Sequence, residues 1–144
     1  MSAMKCASRV VRVNTQGRGF HDLTQTLRDF VRETGVATGT CSVFVRHTSA
    51  SLVIQENADP SVLRDLQRWV DRLAPEDSAA YEHDAEGPDD MPGHLRSAVT
   101  RTSETVPIAG SELLFGTWQA LYLWEHRRSS HAREVVLTVM GTLE

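Results

Sequence analysis

The sequence predicts a single α+β domain, residues 1–144, built on a mixed or antiparallel sheet with about three helices. Three observations carry this. The chain has 144 residues, of which 40% are apolar and 24% charged, so one core can bury about two-thirds of the unfolded surface without disulfide or metal staples. Short β-branched or alternating segments are interspersed with stretches of helical periodicity. Their order, β-α-β-β-α-α-β-β-β, lacks the regular strand–helix alternation of a wound parallel sheet.

Each element has its own signal. Residues 7–14 (ASRVVRVN) are short and rich in β-branched side chains, which reads as a strand. Phe20, Leu23, Leu27, Phe30 and Val31 fall at helical spacing over residues 20–34, and Gly35 supplies a left-handed stop. Residues 41–46 (CSVFVR) and 50–55 (ASLVIQ) read as two further strands. Asp59-Pro60 announces a second helix, with Asp as the capping acceptor and Pro where its missing N–H costs nothing. Its apolar stripe is Val62, Leu63, Leu66, Val70 and Leu73. The stretch PEDSAAYEHDAEGPDDMP, residues 75–92, interrupts the domain without dividing it. A short third helix starts near Pro92 and is expected to bury Leu95, Ala98 and Val99. SETVPIA, GTWQALYLWE and REVVLTVMG complete the strands.

Composition excludes several functions. With 15 Lys and Arg against 19 Asp and Glu the net charge is −4, and the arginines form no basic stripe, so no nucleic-acid partner is expected. No apolar run approaches the roughly 20 residues that span a bilayer, and MSAMKCASRV lacks a signal peptide's apolar stretch. No membrane partner is expected, and the expected location is cytoplasmic. Cys6 and Cys41 form no CxxC pair, which argues against a disulfide framework or thiolate zinc site; both are expected to be small buried residues.

Chemistry concentrates in three places. His47 ends a strand, His83 lies in the acidic stretch and His94 opens the third helix. Three imidazoles and a water make an open zinc site, and Asp84, Glu86, Asp89 and Asp90 could orient the rings or carry protons. The spacing matches no short ligand motif, and unrelated surface histidines in an acidic loop fit it too. His21, His126 and His131 offer the same chemistry at a helix start, a strand end and a turn. Gln55, Glu56 and Asn57 follow a strand and precede a helix N-terminus, where polar groups meet an anion or simply turn the chain. Strand alternation aims Glu125 at the same face as Leu121 and Leu123, which makes it a candidate acid, base or buried ion-pair partner.

HTSASLVIQENADP, His83 shortly after a tyrosine, DDMPGHL and GTWQALYLWEHR, in this order and followed by a Val-rich last strand, resemble the YjbQ family over essentially the whole chain. The activity assigned to that family is secondary thiamine-phosphate synthesis. The resemblance implies a compact α+β subunit, a homotrimer and a metal-containing pocket near a subunit boundary. It matches His47, His83 and His94 to the family's histidines, as ligands of a divalent metal, Zn2+ being the natural choice. Glu56, Asn57, Gln119 and Glu125 match polar motif positions. From these we expect Glu56 or Glu125 to carry protons, and Asn57, Gln119 and Arg127 to contact a small anionic substrate. Gln55 and Asp90 stand where the family pattern has Asn, and Gly93 where it has Ala.

Three functions follow. The first is a metal-dependent enzyme joining a pyrimidine diphosphate to a thiazole phosphate, with Arg46, Arg127 or Arg128 on phosphate oxygens. The second is metal-dependent hydrolysis with the same residues. The third is a trimeric metal- or ligand-binding module without turnover.

Overall fold

The computed structural model describes residues 3–144. In chain order these form β1 (Met4–Asn14), β2 (Gly19–Asp22), α1 (Thr24–Thr34), β3 (Thr38–Val45), β4 (Ala50–Glu56), α2 (Pro60–Leu73), α3 (Asp90–Val99), β5 (Ser103–Ala109), β6 (Glu112–Leu113), β7 (Gln119–Glu125) and β8 (Ala132–Thr142). The strands pair antiparallel in two sheets, one ordered β1-β8-β3-β5-β6 and the other β2-β7-β4. The α+β architecture is the expected one, with the strands divided between two sheets.

The two sheets meet in one core. Alternation along β8 buries Val135, Leu137 and Val139, and β3 answers with Cys41, Val43 and Val45. Leu52 of β4 and Leu121 and Leu123 of β7 come from the smaller sheet, while Leu27, Phe30 and Val31 of α1 close the assembly. Gly35 ends α1 at φ 72°, its N–H donating to the Arg32 carbonyl, as the sequence predicts for a left-handed stop. Asp59 caps α2 by accepting from the Ser61 N–H at 2.9 Å and its hydroxyl at 2.7 Å.

Four sequence expectations are corrected. Phe20 does not begin a helix: residues 19–22 form β2 on the edge of β7, Phe20 stacks on Trp124 with ring centroids 4.6 Å apart, and His21 faces Leu123 across the ladder. The helix starts later because Asp22 accepts from the Thr24 N–H at 2.9 Å. On α2 only Val70 of the predicted stripe is buried, and Trp69 and Leu73 stand about half exposed. Polar groups do part of the docking, with Gln67 accepting from the Trp124 indole at 3.0 Å. On α3 the buried residues are Asp90, Pro92, Gly93 and Arg96, while Ala98 and Val99 face outward. Arg96 there donates to the Ala74 carbonyl at 3.0 Å and pairs with Asp71 at 3.2 Å, so the inward face is polar. Cys6 is exposed on β1; Cys41 is the buried one, and burial pushes its thiol up to about 11. No helix among the described residues is long and apolar enough to cross a membrane.

Candidate metal centre

The first turns of α3 and the segment before it carry the site. Asp90 and His94, four residues apart, share one helix face. The segment between α2 and α3 returns His83 and Glu86 to the same spot, so that one donor atom from each of the four residues lies within 4.8 Å of the others. Asp90 Oδ2 is the centre: His83 Nε2 stands 2.7 Å from it and His94 Nε2 3.1 Å. Glu86 approaches His83 Nε2 at 3.8 Å.

The orientation of His94 decides what the cluster can do. Its Nδ1 donates to the Thr48 carbonyl at 3.1 Å, which leaves the lone pair of the neutral ring on Nε2. That lone pair meets a carboxylate oxygen, acceptor against acceptor, and the contact becomes favourable only with a proton or a cation between them. A backbone carbonyl on the far nitrogen is the usual orienting partner of a metal-binding imidazole.

Arg127 fixes the carboxylates. It donates to Asp90 Oδ1 at 2.7 Å, Asp89 Oδ2 at 3.2 Å and the Glu86 carbonyl at 2.9 Å, and the Arg128 N–H adds a bond to Asp89 at 2.8 Å. Burial raises the Asp90 pKa. The hydrogen bond from His83 and the charges of His94 and Arg127 outweigh it and hold the carboxyl below its ordinary range. Asp89 is held low in the same way by Arg128 and Arg127 against burial. Gly93 packs closely under this group: a Cβ there would lie 3.3 Å from Ser49 Cβ and 3.4 Å from Arg127 Cδ, so an added methyl would ask Ser49 to shift by a few tenths of an ångström.

The remaining predicted site residues lie elsewhere. His47 stands outside the four-residue donor group: its Nε2 accepts from the Glu134 N–H at 2.8 Å, and burial, followed by the Arg133 charge, lowers its pKa. It nevertheless shares a groove with His94. Glu125 is fully buried in an ion pair with Arg133, whose Nε donates at 2.7 Å, and it also accepts from the Thr15 hydroxyl at 2.7 Å and the Arg127 N–H at 3.1 Å. Burial raises its pKa, but the bonds from Arg133 and Thr15 bring it below the ordinary value. It is therefore a fixed anion, and of its two expected uses the geometry supports the ion pair over the proton carrier.

Glu56, Asn57 and Gln119 gather at the opposite end of the smaller sheet. In the β4–β7 ladder Ala50 pairs with Glu125 and Glu56 with Gln119, six residues and about 20 Å apart. There Gln119 accepts from the Gly116 N–H at 2.8 Å, Glu56 from the Asp59 N–H at 3.2 Å, and Asn57 donates to the Thr117 carbonyl at 3.4 Å. All three shape turns in this subunit. Sequence reasoning named Asp90 and Glu86 only as groups that orient the rings or carry protons. The four-residue spacing within DDMPGHL was the signal that Asp90 and His94 share a face. His126 is buried as a neutral base, accepting from or donating to Ser51 Oγ at 2.8 Å, and desolvation lowers its pKa to about 3.

Two antiparallel sheets, three helices and a two-histidine, two-carboxylate cluster at a helix start define a small α+β protein with a candidate cation centre. The family model for UPF0047 YjbQ-like proteins matches residues 9–142, and the chain belongs to this family. It is 52% identical over 132 residues to a UPF0047 protein of Synechocystis sp., covering 92% of this chain and 90% of that one. It is 40% identical over 134 residues to the YjbQ protein of Salmonella typhimurium, covering 92% and 96%. Among solved structures, an uncharacterized YjbQ/UPF0047 protein of Clostridium acetobutylicum is similar at 30% identity and TM-score 0.80, over 92% of this chain and 98% of that one. A YbjQ-like protein of unknown function from Sulfolobus solfataricus has TM-score 0.86 at 23% identity, over 96% and 99%, a likeness of fold.

Proposed function

We propose that this protein is a metal-dependent enzyme acting on a small anionic metabolite, with a divalent ion held by His83, Asp90 and His94. The observation that carries this reading is the convergence of two imidazole nitrogens on one carboxylate oxygen, with His94 Nδ1 already donating to Thr48. Nitrogen and oxygen donors of this kind suit zinc. Ligand atoms on opposite sides of one Zn2+ lie at most about 4.2 Å apart, so small side-chain rotations bring the group onto an ion.

His83 is half exposed and Glu86 largely so, which leaves the outer side open to a ligand. Glu86 is the carboxylate placed to move a proton there; Glu56 is distant and Glu125 is locked. When bound, the ion supplies Lewis-acid polarisation of an anionic oxygen. Secondary thiamine-phosphate synthesis, the activity implied by the resemblance, also requires cations against a diphosphate. Arg127 is committed to Asp89 and Asp90, Arg128 pairs with Glu76 and Arg46 with Glu134. Arg46 and Arg128 are more than half exposed, so these surface pairs leave both able to turn to phosphate oxygens, and the same centre serves transfer or hydrolysis. Assembly as a homotrimer is part of the same proposal.

The test is metal content by elemental mass spectrometry of protein purified without a histidine tag, beside His94→Ala and Asp90→Asn. Near-stoichiometric zinc in the parent, lost in both variants, is the expected result. No metal in any sample after incubation with Zn2+ overturns the reading.

A further inference from the structure

His94 belongs to two features at once. One side of its ring faces the carboxylate cluster, and the other helps line an open groove of about 630 Å³ between the end of β3 and α3, within the usual size range of small-molecule sites. Phe44 and Ala98 are exposed along its walls, with His47 and His94 as ring-bearing neighbours and Ser97, Thr48 and Thr102 as small hydroxyl-bearing ones. Its one arginine, Arg46, is already paired with Glu134 at 2.9 Å. A flat or branched apolar body lying along the groove would remove Phe44 from water. His94 is the one residue of the four-donor cluster that lines the groove, so a head group at that end lies beside the ring whose Nε2 faces the carboxylates.

We infer that the groove binds the body of the ligand, and that this ligand is an aromatic or compact apolar molecule carrying one metal-ligating head group. This rests on the metal reading above for the head and on the groove itself for the body.

Two hydroxamates sharing the same head test it: benzohydroxamate and acetohydroxamate, titrated into the zinc-loaded protein, with inorganic pyrophosphate as a competitor. Benzohydroxamate is expected to bind at least tenfold more tightly, and pyrophosphate to leave that preference in place. Ala98→Trp fills the groove from an exposed helix position and is expected to erase the phenyl preference while zinc binding stays stoichiometric; Phe44→Ser is expected to reduce it severalfold. Equal affinity for the two hydroxamates overturns the inference, as does a phenyl preference that survives Ala98→Trp. A change of oligomeric state in Ala98→Trp overturns it too, by making the groove a contact between copies. If the parent protein takes up no zinc, the metal reading fails separately, and saturation transfer from the protein to the phenyl protons of benzohydroxamate then judges the groove. Transfer abolished by Ala98→Trp supports it, and no transfer overturns it.

Discussion

Arg127 does at the scale of one side chain what a loop cannot do alone. Its planar fork holds Asp89, Asp90 and the Glu86 carbonyl together, and so presets the oxygen on which both histidines converge. Replacing it by Met keeps much of the apolar stem and removes all three bonds. Supporting residues of this kind typically contribute 10- to 100-fold to metal affinity, so Arg127→Met is expected to weaken zinc binding by about that factor in calorimetric titration, with the far-ultraviolet spectrum unchanged. His126 makes a prediction in pH. Its folded pKa of about 3 lies below the ordinary value near 6.5, so below pH 6.5 the unfolded chain takes up a proton that the folded chain refuses. Stability is therefore full above about pH 6.5 and falls towards pH 3, by up to about 1.4 kcal/mol per pH unit. The low carboxyls Glu125 and Asp89 extend the loss in the same direction. Denaturant midpoints at pH 7 and pH 5 check this, and His126→Gln is expected to flatten the difference.

At the scale of elements, β7 joins both halves of the molecule. One face, with Leu121 and Leu123, enters the apolar core; the other places Trp124 and His126 under α2 and α3. Glu125 sits on the core side and is tolerated because Arg133 of β8 meets it there. Removing one partner of a buried pair commonly costs about 3–5 kcal/mol, and Glu125→Gln is expected to lose about that much in chemical denaturation. These elements also show what the sequence could convey. Strand alternation, the Asp59-Pro60 cap and the Gly35 stop are local signals, and they appear in the fold where they were read. Phe20 misled because a position that fits a helical stripe also fits an edge strand, and only pairing with β7 decides. The buried side of α3 misled for a different reason: its inward groups are Arg96 and Asp90, stabilised by Asp71 and Arg127 from other elements, and no local pattern reports such partners. The histidines at 83 and 94 were legible as candidates, while the separation of Glu56 from Glu125 along one ladder required the register.

The whole molecule leaves apolar surface in several places, two of them with neighbouring pairs. Val10 and Met140 stand about half exposed on the outer face of the five-stranded sheet, and Trp69 and Leu73 on α2. Exposed apolar patches of this kind mark association surfaces, and the proposed homotrimer gives them cover. Light scattering is expected to return the mass of three chains, and a charge at either patch, Val10→Glu or Trp69→Glu, to lower it. A mass of one chain in the parent would remove the trimer from the proposal.

The two histidines of the centre come from different kinds of structure, His94 from a packed helix and His83 from the long connection before it. An ion gripping both would act as a clasp, closing a loop whose entropy Arg127 has already reduced. Occupancy should therefore be readable far from any chemistry, as resistance of the 75–89 connection to proteolytic nicking. A chelator should restore cleavage there while the sheets stay intact, so that the connection reports on the ion before the fold does.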